Sequence, residues 1–237
     1  SKIKQALLQA NGRHFDGDTA VERFIDEELA FPIRHSYGGN SACMEIGGGP
    51  EYMVCDMGSG LRELGQQIMR EYGPGTPQVY NFFMSHVHWD HIMGFPFFPP
   101  AYIPGNTIRI HGCHALAVLQ EAFHRQQSDP CFPVEWKNLG ADIQVIHLEP
   151  EQWYEMNGFR VKAKLQPHHG DSYGYRFEKD GKVLVYSTDG EHKLESEEVT
   201  NAIVDFYRDA DLVIFDAMYS LADMITVKED WGHSSNG

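Results

Sequence analysis

The stretch Met84–Phe98, MSHVHWDHIMGFPFF, sets three histidines and an aspartate within six positions, His86 to His91. It follows an apolar run of strand length, QVYNFFMSHV (78–87). At a strand end, side chains two apart point the same way. His86 and His88 can therefore grip one metal ion. Asp90 and His91 lie beyond the strand, where the chain turns toward Gly94, and can face a second ion. Imidazole and carboxylate together suit Zn²⁺, Mn²⁺ or Fe. A cluster of this kind needs further donors from other strand ends, which favours a layered α/β fold whose sites gather there.

Other strand ends offer such donors. LQPHHGDSYGYRFE supplies His168 or His169, VLVYSTDG supplies Asp189, and EDWGHSSNG supplies His233. A lone His or Asp is more often structural. Seven donors at strand ends match the number a dinuclear site wants. Two divalent cations bring +4, and Asp90, Asp189 and a hydroxide bring −3, so the site stays locally positive and favours an anionic substrate. Two metals also lower the pKa of a shared water and stabilise the attacking and leaving oxygens of an in-line displacement.

The remaining pattern alternates strands and helices. Residues 3–30 read as two helices, with Gly12 ending the first and Asp18 or Thr19 capping the second. From Tyr37, two apolar runs flank a Gly-Gly-Gly-Pro turn, a β-hairpin. Helices are expected at 61–73, 114–127 and 196–210. Strands are expected at 78–87, 107–112, 142–148, 159–165, 172–178, 182–188 and 211–219, with Lys179-Asp180-Gly181 closing a hairpin.

Composition excludes several function classes. The 237 residues suffice for one sizeable domain or two small ones. No apolar run reaches the ~18–20 residues of a membrane span, and no basic-then-apolar leader opens the chain. Ser1, not Met, stands first, so the natural start is expected upstream. The formal net charge of −15 is a poor match for long nucleic acids, which are bound largely through Lys and Arg. The four cysteines, Cys43, Cys55, Cys113 and Cys131, form no C-x-x-C pair and are too sparse for a disulfide scaffold, so a reducing cytoplasm is the expected location.

The H-x-H-x-D-H motif, a later His, an Asp after Tyr-Ser-Thr and a final Gly-His-Ser resemble the metallo-β-lactamase fold superfamily. Within it, YGGNSACMEI, CDMGSGLRELG, HVHWDHIMGFPFFPPAYIPGN, GYRFEKDGKVLVYSTD and DLVIFDAMY resemble the branch of ribonuclease Z-like and cyclic-phosphate phosphodiesterase-like hydrolases. The resemblance implies an αββα four-layer sandwich over 37–237. Residues 1–36 are then a helical extension, and the domain is expected to be cut short at its C-terminal end. It implies His86, His88 and His168 on one metal, Asp90, His91 and His233 on the other, and Asp189 bridging, with a bridging water or hydroxide as nucleophile. His168 is preferred over His169 because the family's third His stands a few residues before Gly-Tyr-Arg. Asp90 and Asp189 are the catalytic carboxylates. The resemblance places Asp56 beside the metal-binding loop as a hydrogen-bonded support, against the alternative of a plain turn residue, and Asp216 in a similar supporting position.

Ribonuclease Z enzymes resemble VIFDAMY but carry a His-Glu pair whose His protonates the leaving group; here Phe215 occupies the His position and cannot do so. With the acidic charge, this argues against transfer-RNA processing. The expected activity is hydrolysis of a small or cyclic nucleotide-like phosphodiester by two divalent metals, zinc first, with Mn or Fe as alternatives. Rivals are a glyoxalase II-like thioesterase and a non-catalytic metal sensor. A homodimer stays open. Phe95, Phe97, Phe98, Tyr102, Phe132 and Trp136 are candidate pocket walls, with core packing the alternative for each. Ser234, Ser235 and Asn236 follow His233, where they could touch a phosphate or form an ordinary loop.

Overall fold

The computed structural model describes residues 2–34, 39–191, 196–217 and 233–234. Chain contacts divide it into two units, Ser1–Asn40 and Ser41–Gly237. The first is helical: α1 (Lys2–Ala10), α2 (Asp18–Arg23) running into one π-helical turn (Phe24–Glu28), and α3 (Phe31–Arg34). The cap of α2 differs from expectation. Gly17, at φ 83°, takes the N-cap position with no side-chain hydrogen bond, and Asp18 is already inside the helix.

The second unit holds two five-stranded sheets. The first has the order β1 (Met44–Glu45), β2 (Tyr52–Cys55), β3 (Val79–Met84), β4 (Thr107–Gly112), β5 (Asp142–His147). β1 and β2 form the expected hairpin, and β2 to β5 run parallel. The crossovers carry α4 (Gly60–Tyr72), the short α5 (Trp89–Ile92) and α6 (Leu116–Gln126). The second sheet has the order β10 (Leu212–Phe215), β9 (Lys182–Ser187), β8 (Ser172–Lys179), β7 (Phe159–Gln166), β6 (Trp153–Met156), antiparallel except for the β9–β10 pair. α7 (Glu197–Tyr207) lies against it: Arg176 of β8 donates to the Phe206 carbonyl at 3.0 Å. Parallel strands here are joined by helices, as their geometry requires.

Period-two alternation on β3 divides the core. Tyr80, Phe82 and Met84 join Leu61 and Ile68 of α4 and Phe123 of α6 in one cluster. Phe83 faces the other way, into a cluster with Val161, Ala163, Tyr175 and Phe177 of the second sheet. These are two of the three seams between the four layers, the third lying between the second sheet and α7. Phe95 and Phe98 are fully buried in the first cluster, and Tyr102 and Trp136 pack against it. Those four are therefore core residues. Phe97 is exposed and meets Phe132 edge-on at 5.6 Å. The strand β6 was not expected from the sequence.

Candidate metal centre

The predicted donors converge where β3, β7 and β9 end. His86 and His88 follow β3, His168 follows β7, and Asp189 follows β9. His88 Nδ1 lies 2.9 Å from His86 Nε2 and 3.2 Å from His168 Nε2. Asp189 Oδ2 stands 3.3 Å from His91 Nε2, 3.7 Å from His86 Nε2 and 3.8 Å from His168 Nε2. Two donors on one tetrahedral zinc are roughly 3.3 Å apart, given bonds of about 2.0–2.1 Å. These separations fit that spacing, so the residues present fit a metal pair.

Three overlapping donor groups result, each with its atoms within 4.8 Å of one another: His86, His88, His168 and Asp189; Asp90, His91 and Asp189; Asp189, Asp216 and His233. Asp189 belongs to all three. His233 is thus grouped with Asp216 rather than with Asp90 and His91. Its Nδ1 donates to Asp216 Oδ2 at 2.7 Å. His169 is exposed and joins no group. Of the three residues after His233, Ser234 is buried with its hydroxyl donating to the Gly190 carbonyl, while Ser235 and Asn236 lie outside the described residues.

Hydrogen bonds behind the donors fix their tautomers. Asp56 is fully buried, yet its carboxylate accepts from Ser85 N (2.7 Å), Ser85 Oγ (2.7 Å), Tyr186 OH (2.8 Å) and His91 Nδ1 (2.9 Å). Because the Ser85 hydroxyl proton goes to Asp56, Ser85 Oγ accepts from His86 Nδ1 at 3.0 Å. That leaves the His86 Nε2 lone pair facing the centre. His91 is oriented likewise, with Nδ1 on Asp56 and Nε2 toward Asp189. Metal-binding imidazoles are commonly held by such carboxylates.

Electrostatics agrees for His86, His88 and Asp189, and differs for His91. Burial, then the neighbouring His91, pushes His86 down to about 2 against the pull of Asp189. Burial, then His168, also lowers His88. Burial acts against the charged form of His91, but Asp56 and Asp189 outweigh it and raise the imidazole to about 10, so His91 carries a second proton on the Nε2 facing Asp189, which a metal ion has to displace. Burial alone would raise Asp189, yet its hydrogen bond and charge contact with His91 hold it well below the usual carboxylate range. Neutral His86 and His88 beside an ionised Asp189 are in the protonation states metal binding needs.

The loops are strapped together. Met57 N donates to the His91 carbonyl and Gly94 N to the Met57 carbonyl, both at 2.8 Å. Ser41 Oγ donates to the Asp90 carbonyl at 2.6 Å. On the other side, Gln166 Nε2 donates to the Thr188 carbonyl and Ser187 Oγ donates to Gln166 Oε1, both at 2.9 Å, fixing the turn into Asp189. Ser41, Ser85, Gln166 and Tyr186 were not singled out from the sequence. Their signal was weak: Ser85 directly follows the largely apolar β3, and Gln166 ends β7, where Arg160, Lys162 and Lys164 already alternate with apolar residues.

Residues 54–237 match the family model described as a beta-lactamase superfamily domain. The chain belongs to the metallo-β-lactamase superfamily. Ribonuclease Z from Exiguobacterium sibiricum is 32% identical over 111 residues, 45% of this chain and 34% of that relative. The alignment thus spans about a third of the curated relative's length. Human tRNase Z, short form, superposes with a TM-score of 0.60 at 21% identity, covering 83% of this chain and 78% of that one. Unliganded yeast PDE1 gives a TM-score of 0.52 at 17% identity, over 78% and 71%. No helix among the described residues is long and apolar enough to cross a membrane.

Proposed function

We propose that this superfamily member is a dinuclear metal-dependent phosphodiesterase acting on a small or cyclic nucleotide-like ester. The observation that carries the reading is Asp189, whose carboxylate is common to three donor groups. His86, His88 and His168 would hold one ion, Asp90 and His91 the other, with Asp189 between them. His233, held by Asp216, would complete the second set from the Asp189 side. Such a pair, zinc first and Mn or Fe next, would supply an activated water and neutralise charge on the phosphate oxygens.

The chain's own residues do the rest. Ser85 holds His86 in its donor tautomer, and Asp56 orients His91 with Nε2 toward the centre. Asp90, 59% exposed and 3.5 Å from His91 Nε2, would accept the proton released by the attacking water. Phe215 ends β10 and has no proton to give, which supports a small ester with a good leaving group over an RNA substrate. The small anionic substrate and a cytoplasmic location, the latter supported by four free cysteines, belong to the same reading.

Metal analysis with a substrate panel tests it. The panel is bis-p-nitrophenyl phosphate, 2′,3′- and 3′,5′-cyclic nucleotides, a glutathione thioester and a precursor transfer RNA. The reading expects turnover of the phosphodiesters, and loss of both metal and turnover in His88→Ala. Turnover of the thioester or the RNA alone would overturn it.

A further inference from the structure

The seam between the two sheets is not apolar throughout. On the inner face of the first sheet, Met53, Cys55 and Phe83 join the cluster shared with the second sheet. The positions in register with them on that face are Asn81, Arg109 and His111. Asn81 and His111 are each 4% exposed. Burial holds the His111 imidazole in its neutral form, stacked on the Phe83 ring at 5.0 Å. Polar groups buried in a sheet seam cost free energy that apolar residues would not.

These three residues line a cavity of about 610 Å³. Glu51 of the β1–β2 turn, Asn157 of the β6–β7 turn and Lys179 at the end of β8 complete it. None of the metal donors lines it. Asn81 precedes His86 by roughly 16 Å of extended chain, so the cavity is separate from the metal centre.

Its charged groups are fixed and still open. Asn157 Nδ2 donates to the Glu51 carbonyl at 2.8 Å, and Asn157 Oδ1 accepts from Glu51 N at 3.2 Å, pinning the two turns together. Glu51 Oε2 accepts from Asn81 Nδ2 at 2.8 Å and from Arg109 Nη1 at 3.0 Å. Glu51 Oε1 and the Nε and Nη2 of Arg109 have no partner among the described residues. Both side chains reach solvent, Arg109 at 34% and Glu51 at 30% exposed. Lys179 Nζ lies over the Phe159 ring and donates to the Gly48 carbonyl, with no carboxylate partner among the described residues. The lining charges balance, Arg109 and Lys179 against Glu51 and Glu155. A phosphate would meet two carboxylates there, and a cation would meet two positive groups. A ligand carrying one charge of each sign answers both.

We propose that this cavity binds a free α-amino acid as its zwitterion, with the carboxylate on Arg109 and Lys179 and the ammonium on Glu51. The open edge of a guanidinium matches a carboxylate with two parallel hydrogen bonds. The volume falls in the range of small-molecule sites, and Met156 and Pro50 give the amino-acid side chain an apolar wall. The proposal is independent of which ester the metal centre hydrolyses.

The test is isothermal titration of the metal-loaded protein with each standard amino acid in turn. Saturable one-to-one binding of at least one is expected. Its N-acetyl derivative and its carboxamide, each lacking one of the two charges, should bind at least about tenfold more weakly. Arg109→Lys keeps the charge beside Glu51 and removes the fork, and Lys179→Met removes the second cation. Each should weaken binding by about tenfold with melting temperature and metal content unchanged. Amino acids also chelate metal ions, so His88→Ala serves as the control and should keep the binding. Binding that vanishes in His88→Ala but persists in Lys179→Met and Arg109→Lys would place the ligand on the metals and overturn the proposal. Equal affinity for the blocked derivatives, or no binding by any amino acid, would overturn it too.

Discussion

Asp56 shows how much one buried carboxylate can organise. It accepts four hydrogen bonds, and through His91 and Ser85 it sets the direction of two imidazoles. Its backbone φ of 58°, like the 38° of Asp189, is unfavourable for a side-chain-bearing residue and persists only where the surroundings impose it. Asp56→Asn places an amide where only acceptors fit. It should destabilise the fold by about 3–5 kcal/mol and weaken metal binding roughly 10–100-fold. Chemical denaturation and chelator competition measure the two effects. A second buried group, His111, gives a pH prediction away from the metals. Burial, then Arg109, pushes it down to about 4. The unfolded chain would bind this proton near the ordinary 6.5. The unfolded state therefore gains protons first as pH falls, and stability drops from about pH 6.5 to 4, by roughly 3 kcal/mol in all. His111→Phe should flatten that limb of an acid denaturation curve. At this scale the sequence was most legible where donors repeat in a motif: His86, His88, Asp90 and His91. Ser85 and Tyr186 escaped because a hydroxyl's partner depends on residues far along the chain, here Asp56.

Elements were legible where pattern and packing agree. Strand β4 falls at 107–112 as its alternation predicts, because both faces are covered. β6 was overlooked because none of its four residues is buried: Trp153 and Glu155 are exposed, and Tyr154 and Met156 only half-buried. The Asn157-Gly158 pair that follows, at φ 52° and 79°, is a strong hairpin signal and marked it. In the aromatic run after the metal loop, Phe95 and Phe98 proved to be core while Phe97 did not, because Phe98 packs under Gly65 of α4, a contact no local pattern encodes. The element that matters most for the site is the strap between the Asp56 and His91 loops. A Cβ on Gly94 would run into the Gly58 carbonyl oxygen. Gly94→Ala should therefore cost about 1–3 kcal/mol, the scale of overpacking a tight contact, and loosen metal binding with it. Gly75→Ala, with nothing within 4 Å of the new methyl, should change thermal stability little. Equal melting temperatures for the two variants would count against the strap.

For the molecule as a whole, two sheets packed face to face bring donors from positions 86 to 233 to one end. That convergence follows from topology. The sequence suggested it only by placing each donor after a strand. The assignment of His233 shows the limit, since its nearest group holds Asp216 and Asp189 rather than Asp90 and His91. Before metal binds, like-charged carboxylates and crowded imidazoles face one another, so folding and metal binding are linked. Metal at about 100 times its Kd should stabilise the fold by roughly 2.7 kcal/mol, and chelation should lower Tm accordingly. The most direct test of the account is the metal-to-protein ratio of wild type and Asp189→Ala, measured beside bis-p-nitrophenyl phosphate turnover. The account predicts two ions per wild-type chain, with loss of bound metal and of turnover together in the variant. An Asp189→Ala protein that keeps two ions and full turnover would contradict it.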